Sequence, residues 1–238
     1  MSETLATSEL ADVAQQAEAW TPQQILSWAL ERFHPRIAFA SSFGVEDVAV
    51  IDMLLRIRPD ARIFTLDTGR LPYETYDVME RTREKHRVSL EVLFPERTAT
   101  ERLQREKGFY SFRQSVAERK ECCGVRKVEP LNRALSSLDA WITGLRREQA
   151  VTRTALPALE IDHAHGGIVK VNPLVSWSET ETWEYVRANK IPYNRLHDQS
   201  YPSIGCAPCT RAIQPGEDVR AGRWWWENPE SKECGLHR

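Results

Sequence analysis

The stretch RIAFASSFGVEDVAVIDMLL, residues 36–55, determines the fold class that this chain can adopt. Its first part, residues 36–40, is a short apolar run that is typical of a buried parallel strand. A loop rich in Ser and Gly follows at residues 41–47, and residues 48–55 have helical character. A strand that passes through such a loop into a helix directs backbone N–H groups toward an anion or a nucleotide. A plain strand–helix turn is the alternative, because short loops of Gly and Ser are common.

Strands and helices continue to alternate along the chain. We expect further strands at residues 62–66, 89–94, 140–143 and 168–171, and helices at 72–87, 98–107, 111–120 and 178–189. This alternation predicts an α/β fold with a parallel-rich twisted sheet and flanking helices. The segment at 152–166 is predicted to be a loop, with His163 and His165 exposed to solvent rather than bound to a metal.

Polar residues follow the predicted strands at the points where these strands end. Residues 41–42 follow the first strand and residues 66–70 complete the second. Ligands of open parallel sheets bind beyond the carboxyl ends of the strands, so both segments are candidates for ligand contact. An ordinary turn held by the Asp67 side chain and Gly69 is the alternative for the second segment. Arg146 follows a later strand, where a guanidinium suits phosphate or sulfate, and a surface charge is an equal alternative.

The five cysteines divide into two pairs and a single residue. Cys122 and Cys123 are adjacent, Cys206 and Cys209 form a C-x-x-C pair, and Cys234 stands near the C-terminus. A disulfide between adjacent cysteines is a poor explanation, since their Cα atoms lie about 3.8 Å apart and disulfides usually need roughly 4.4–6.8 Å. Four thiolates suit a tetrahedral zinc site or an iron–sulfur cluster. Cys234 is then left as a free reactive thiol.

Composition narrows the function classes. The 238 residues are 41% hydrophobic and 28% charged, which is ordinary for a globular protein with one sizeable core. A net charge of −2 gives no basic field for nucleic acid, and no apolar run approaches the roughly 20 residues of a membrane span. The N-terminal region is acidic, unlike a targeting sequence, and cysteines in ligand-like spacing fit a reducing cytoplasm.

The cysteines, taken in order along the chain, resemble those of the assimilatory adenylyl-sulfate reductases, a branch of the phosphoadenylyl-sulfate reductase family. Cys122-Cys123 and Cys206-x-x-Cys209 are similar to the branch that carries a [4Fe-4S] cluster on these four residues. The segment from Glu233 to His237 is similar to the one that holds the family's nucleophile. The resemblance runs from about Phe39 to the end of the chain.

This resemblance implies reduction of adenylyl sulfate to sulfite and AMP in sulfate assimilation and cysteine biosynthesis. The Cys234 thiolate attacks the sulfur atom of the phosphosulfate, with His237 close by, and a thioredoxin- or glutaredoxin-like protein then releases sulfite. The expected parts are an N-terminal helical segment (1–34), an α/β nucleotide- and cluster-binding domain resembling adenine nucleotide α-hydrolases (35–210), and a C-terminal tail with the nucleophile (211–238). A homo-oligomer is possible.

Family resemblance and strand-end position together predict the substrate-binding residues. They are Ser41, Ser42, Leu66, Gly69, Arg70, Lys127, Arg146, Arg220 and Arg223. Lys127 lies four residues after Cys123, so on a helix it shares that face and offsets repulsion between an anionic cluster and an anionic substrate. The loop at 41–47 departs from the Ser-Gly-Gly-x-Asp-Ser form of relatives that split ATP. We therefore expect it to hold the nucleotide without an ATP-pyrophosphatase reaction.

Three alternatives stay open from the sequence. The same chemistry on 3′-phosphoadenylyl sulfate is the nearest, although typical reductases for that substrate lack the four cluster cysteines. A cluster-dependent sulfur-transfer enzyme acting on a nucleotide or tRNA is the second. The third is a zinc- or Fe–S-binding redox sensor. The Cys234 segment argues against it, because such a sensor needs no fifth cysteine.

Overall fold

The apolar run after Arg36 forms strand β1 (Ile37–Ser41), which lies inside the sheet with a neighbour on each side. The computed structural model describes residues 7–149 and 153–228. β1 pairs in parallel with β2 (Arg62–Leu66) and with β4 (Ala140–Ile142). It is buried on both faces, as a continuous apolar run predicts for a parallel strand.

The described strands form one sheet in the order β3-β2-β1-β4-β6-β5. The remaining strands are β3 (Glu91–Leu93), β5 (Leu159–Asp162) and β6 (Ile168–Val171). All neighbours are parallel except β5 and β6. The chain winds outward from β1 to β3 and then returns to the other side of β1 with β4. This reversal creates a topological switch point between β1 and β4, where open α/β sheets bind ligands.

Strand β5 corrects the prediction of a loop at residues 152–166. It pairs antiparallel with β6, with Leu159 opposite Val171. Gly166 and Gly167, at φ +79° and +77°, turn the chain between the two strands. His165 also differs from the prediction, because its Nδ1 atom lies 2.7 Å from Asp162 Oδ2 and its side chain is only 5% exposed. A short edge strand with few apolar residues gave too weak a pattern to detect.

The helices cover both faces of the sheet. One face packs β-strand residues such as Phe39 and Ile63 against α2 and α3, and the other packs Phe64 and Trp141 against α7. The described α-helices are α1 (Thr7–Ala17), α2 (Pro22–Phe33), α3 (Val45–Ile57), α4 (Tyr73–His86), α5 (Arg97–Lys107), α6 (Val116–Cys123), α7 (Glu129–Leu135) and α8 (Glu179–Ala188). None of the helices in the described ranges is both long and apolar enough to cross a bilayer.

The N-terminal helical pattern is confirmed by α1 and α2. Thr21 caps α2: its hydroxyl accepts the Gln24 N–H, and the Gln24 side chain accepts the Thr21 N–H. This reciprocal arrangement satisfies two N–H groups that a helix start leaves without partners. The buried residues of α2, such as Leu26 and Leu30, belong to the same core cluster as β1.

Candidate active site

A cavity of about 700 Å³ lies beyond the carboxyl ends of β1, β2 and β4. This size is within the range of sites that enclose small-molecule ligands, roughly 300–1,000 Å³. Its lining combines the loops after these strands with residues from the C-terminal part of the chain. Of the nine predicted binding residues, seven line it: Ser41, Ser42, Leu66, Lys127, Arg146, Arg220 and Arg223.

The Ser/Gly loop after β1 is held by an acid from the helix that follows it. The Ser42 N–H and Oγ both donate to Asp47 Oδ2, the hydroxyl at 2.8 Å. Gly144, after β4, makes room for this carboxylate, because a Cβ there would lie 2.1 Å from Asp47 Oδ1. The pKa of Asp47 is raised to about 7: burial is the main cause, the bonds from Ser42 oppose the shift, and the neighbouring Glu46 adds to it.

Asp47 is therefore expected to make stability fall as pH rises from about 4 to about 7. Folding raises its pKa, so within this window the folded protein keeps a proton that the unfolded chain has released. Urea unfolding of wild type and Asp47→Asn at several pH values should show wild type losing about 2–4 kcal/mol more across the window. The exposed Asp60→Asn serves as control. Parallel pH profiles for wild type and Asp47→Asn would contradict the shifted pKa.

Arg146 lies in the cavity wall with a carboxylate partner. It is buried, and its Nε and Nη2 atoms donate to Glu46 Oε1 at 3.0 and 2.8 Å. The pair connects the loop after β4 to the start of α3, across the switch point. Part of the positive charge is therefore already balanced by Glu46. Oxyanion binding by Arg146 stays a prediction.

The loop after β2 is a tight turn that lines the large cavity with Thr68 and Leu71 but not with Gly69. Gly69 has φ +68° and donates its N–H to Asp67 Oδ1 at 2.8 Å, so the turn held by an Asp side chain and a glycine is present. Arg70 does not line the large cavity. Its guanidinium lies 5.0 Å from the centre of the Phe112 ring and donates to Phe109 O at 2.8 Å. Adenosine contact by Gly69 and Arg70 remains a prediction.

The four predicted ligand cysteines meet in space although the two pairs are far apart in sequence. None of these four cysteines is in a disulfide; all are 8–9% exposed and line one small cavity beside the large one. Cys122 and Cys123 end α6, and Cys206 and Cys209 flank a short 3₁₀ turn. Thr68 Oγ1 lies 3.2 Å from Cys206 Sγ.

The donor set around this small cavity is made of thiols and cations. Among the described residues, no carboxylate or imidazole lines it, and no three His, Cys, Asp or Glu side chains are arranged to hold one metal ion. The lining cations are Arg70, Arg119, Arg126, Lys127 and Arg223. Four thiolates within this positive ring fit an all-cysteine iron–sulfur cluster, which carries net negative charge.

Lys127, Cys206, Arg223 and Trp224 border both cavities. We call these four residues the shared wall. The wall brings two cations between the cysteine cavity and the large cavity, which is the position predicted for Lys127. An anion in the large cavity would therefore face these two cations beside Cys206, whereas the other three thiols line only the small cavity.

A π turn brings Lys127 to this wall. Residues Gly124–Val128 form the turn, in which the Glu129 N–H donates to Gly124 O. Pro130 follows directly, and proline lacks the N–H that a continuing α-helix would use. The sequence predicted a regular helical offset from Cys123, and the structure has a wider turn there. Such turns occur frequently at functional sites.

The cations act unequally on the thiols of the second pair. Burial opposes ionisation of Cys206, but Lys127 and the Thr68 hydroxyl hold the pKa of this thiol below its ordinary value. Burial and the neighbouring Cys206 raise the pKa of Cys209 to about 12. Metal ligation requires thiolates, so binding a cluster here would release protons.

The C-terminal part of the chain docks against the Cys206–Cys209 loop. Thr210 pairs with Arg223 in an antiparallel bridge, and the Trp224 N–H donates to Cys209 O at 3.2 Å. Arg223 then lies over Gly205, where a Cβ would come within 2.3 Å of its guanidinium. Gly205 therefore makes space for Arg223.

The three consecutive tryptophans point in different directions. Trp224 is 1% exposed, Trp226 is partly buried against the cysteine cluster of side chains, and Trp225 is 38% exposed. Beyond them, Glu227 forms a buried ion pair with Arg119 of α6. The C-terminal part is thus fixed on α6 as far as this pair.

Cys234 and His237, the predicted nucleophile and its neighbour, lie outside the described residues.

Sequence reasoning missed several residues that shape the site, namely Glu46, Asp47, Arg119, Arg126 and Glu227. Among these missed residues, Arg126 is 3% exposed and donates from Nη1 to Thr68 O at 2.6 Å. This hydrogen bond connects the cysteine segment to the loop after β2. Its position next to Cys122-Cys123 was the available signal, but adjacency alone does not reveal which arginine turns inward.

Comparison with known proteins identifies related sequences over most of the chain. The model of the phosphoadenosine phosphosulfate reductase domain matches residues 36–212. An adenosine 5′-phosphosulfate reductase from Allochromatium vinosum is 55% identical over 202 residues, which cover 85% of this chain and 78% of the relative. One from Burkholderia cepacia is 48% identical over 234 residues, covering 98% and 91%.

Solved structures share the fold. A phosphoadenylyl-sulfate reductase from Candida auris, in a phosphate complex, is 25% identical with a TM-score of 0.76, covering 90% of this chain and 100% of that one. The FMN adenylyltransferase of Candida glabrata, bound to FMN and an ATP analogue, is 14% identical with a TM-score of 0.56, covering 97% and 79%. At this identity the second likeness concerns the fold alone.

Proposed function

This chain belongs to the phosphoadenosine phosphosulfate reductase family, and we propose that it reduces adenosine 5′-phosphosulfate to sulfite and AMP in sulfate assimilation. The observation that carries this proposal is the shared wall. A nucleotide-sized cavity and a four-cysteine cavity meet there, with Lys127 and Arg223 on the boundary. A sulfate-bearing nucleotide in the large cavity would present its anionic end to these two cations.

The reaction divides into two displacements at sulfur. The Cys234 thiolate attacks the sulfur atom of the phosphosulfate, a S–S bond forms, and the bond from sulfur to the bridging oxygen breaks as AMP leaves with the electron pair. A dithiol protein of the thioredoxin or glutaredoxin class then attacks Cys234 Sγ. Sulfite leaves with the electron pair of the S–S bond, and the second thiol of the reductant resolves the mixed disulfide. The two electrons come from this dithiol, which a reducing cytoplasm supplies.

This chain's own residues supply binding and charge. Arg220, Arg223 and Lys127 carry positive charge toward the leaving phosphate and the developing sulfite. Cations near Cys234 would also favour its thiolate form, because free cysteine titrates at about 8.5. The Ser/Gly loop after β1, fixed by Asp47, offers N–H groups to the nucleotide.

Cys122, Cys123, Cys206 and Cys209 would hold a [4Fe-4S] cluster. When bound, the cluster would supply a fixed negative charge behind the shared wall and would join the two cysteine segments. The cysteine chemistry needs only two-electron steps, so its role is electrostatic and structural. The support is the convergence of four cysteines, none of them in a disulfide, inside a ring of cations. Iron and acid-labile sulfide in the purified protein would separate this cluster from zinc.

We expect the protein to prefer adenosine 5′-phosphosulfate over its 3′-phosphorylated form by at least about 100-fold in kcat/KM. The relatives named for the unphosphorylated substrate are 48–55% identical, whereas the solved 3′-phosphorylated-substrate reductase is 25% identical. Anaerobic sulfite release with thioredoxin measures both substrates. Equal or reversed preference would leave the Cys234 chemistry but reject this substrate assignment. If neither substrate yields sulfite, the sulfur-transfer enzyme and the redox sensor would again be the alternatives to test.

Lys127→Ala is expected to lower kcat/KM by about 10²- to 10³-fold while leaving iron content unchanged. The lysine lies on the shared wall and is not one of the thiol ligands. Lys120→Ala, on the preceding helix at an exposed position, is the control. Near-normal kcat/KM in Lys127→Ala would show that this cation does not act on the anionic substrate.

A further inference from the structure

The loop after β1 holds a carboxylate of its own chain in the way that a phosphate-binding loop holds an anion. The Ser42 N–H, the Ser42 hydroxyl and the Gly44 N–H all donate to Asp47, the hydroxyl at 2.8 Å. Backbone N–H groups that converge in this way form an anion-binding concavity. Asp47 is 7% exposed, and a Cβ at Gly144 would lie only 2.1 Å from its Oδ1 atom. The protein therefore leaves a fitted space for this carboxylate.

The backbone of the loop contains the left-handed residue that is found in anion-binding loops. Phe43 has φ +60°, a conformation that glycine adopts without strain and that a bulky side chain rarely enters. Its ring is fully buried in the main core cluster, so packing holds the residue in this conformation. Phe43 lies between Ser42 and Gly44, whose N–H groups turn toward the same carboxylate. The loop is thus an anion site that is already filled.

The departure of this loop from the Ser-Gly-Gly-x-Asp-Ser form includes the same residue. When the two are aligned on Ser42 and Gly44, that form has glycine in place of Phe43 and serine in place of Asp47. A serine side chain is short and neutral, so it would leave the Ser42 and Gly44 N–H groups for a phosphate of a nucleotide. Asp47 takes these N–H groups with a group that carries the same sign of charge as a phosphate.

The charges that line the large cavity differ between its two ends. At the loop, Glu46 is a second acid, and its Oε1 atom accepts two N–H groups from Arg146, so that arginine is balanced within the wall. The cations Lys127 and Arg223 lie at the boundary with the cysteine cavity, which residues 41–47 do not line. The cavity therefore has a cationic end for a sulfate-bearing group and an acidic end at the loop.

We propose that Asp47 is an internal anion that fills the phosphate-binding position of this loop and so excludes nucleoside polyphosphates from the large cavity. The inference rests on the proposed function and deepens it, because an enzyme that acts on adenosine 5′-phosphosulfate must select it from other adenine nucleotides. ATP shares the adenosine and differs in its chain of phosphates. A like charge placed against that chain rejects ATP while the contacts to the adenosine are kept.

The test removes the carboxylate and measures what the loop then binds. Asp47→Ser provides the short neutral side chain, and Asp47→Asn removes the charge but keeps the volume. Isothermal titration calorimetry on each protein, with its cluster, measures affinities for pyrophosphate, ATP and AMP. The titrations are made at pH 8, because the raised pKa of Asp47 is about 7 and the wild-type carboxylate is then charged.

Asp52→Asn is the matched control. Asp52 is also a buried acid of α3, but it accepts from Tyr185 and Arg56 and does not line the large cavity. The control therefore removes one buried carboxylate from the same helix without changing the loop. Its affinities for pyrophosphate and ATP should match those of wild type.

We expect the ratio of ATP affinity to AMP affinity to rise at least about 10-fold in Asp47→Ser and at least about 3-fold in Asp47→Asn. The gain is smaller for asparagine because its side chain still fills the space. Pyrophosphate should also raise the melting temperature of Asp47→Ser and leave that of wild type unchanged, since a ligand that binds only the folded state stabilises it.

A ratio within about two-fold of wild type in Asp47→Asn would reject the proposal, even if Asp47→Ser failed to fold. An equal gain in Asp52→Asn would also reject it, because the effect would then follow from net charge and not from the loop. If wild type binds neither AMP nor adenosine 5′-phosphosulfate, the proposed function fails. The change in pyrophosphate affinity between wild type and the Asp47 variants would still decide the role of Asp47.

Discussion

Cys234→Ser is expected to abolish sulfite release, with turnover at least about 10³-fold below wild type. Two steps fail for one reason, the missing sulfur atom. A serine hydroxyl is a far weaker nucleophile than a thiolate near neutral pH. Even if serine were sulfated, the reductant's thiolate would find no sulfur atom at residue 234 to attack, so no mixed disulfide could form and the SO₃ group would remain as a sulfate ester.

The measurement is anaerobic release of both AMP and sulfite, with a dithiol reductant present and absent. In wild type without reductant, AMP should appear in one equivalent per active site while sulfite does not, because sulfite leaves only in the second displacement. Cys234→Ser should release neither. Ser231→Ala, in the same segment, is the control and should keep full turnover. Sulfite from Cys234→Ser at the wild-type rate would remove the S-sulfocysteine from the mechanism.

Cys122→Ser is expected to lose almost all bound iron and sulfide and, with them, nearly all activity. The four thiols come from two segments that are far apart in the chain, and they line one buried cavity. Losing one ligand leaves only three thiolates to hold a cluster. Without the cluster, the positive side chains that line the cavity have no negative charge to balance them. Because the cluster would join these segments, thermal stability should fall as well.

Iron and sulfide analysis, together with the visible absorption of the purified protein, measures this effect. Cys206→Ser should give the same loss, since Cys206 supplies a ligand from the other pair. Cys234→Ser is the reciprocal control: it should keep the cluster while losing turnover. Unchanged iron in Cys122→Ser would contradict the ligand assignment. Zinc without sulfide in wild type would replace the cluster with a structural metal site.

The two variants separate two functions that lie close together in this protein. The cysteine cavity and the large cavity share Lys127, Cys206, Arg223 and Trp224, so a change in one region can disturb the other. If a variant keeps its iron but forms no S-sulfocysteine, the replaced residue is the nucleophile. A protein that loses iron and activity together identifies the ligands.

The fold class and the chemical groups of the site could be predicted from the residues alone. Alternation of buried strands and helices is a local property with a clear period, so the parallel-rich α/β sheet could be predicted from residues 36–55 outward. The cysteine pairs and the Cys234 segment are also local patterns. Chemistry that resides in residue type and short spacing, such as four thiols and one extra thiol, needs no coordinates to detect.

Which groups face each other could not be predicted from the sequence, because it depends on contacts made in the folded chain. The strand order, the edge strand β5, the turning of Arg126 toward Thr68, and the pairing of Arg119 with Glu227 all join residues that are distant in sequence. Gly205 makes space for an arginine that lies 18 positions later. Long-range partners are selected by packing and charge together, and no single segment contains the information about both.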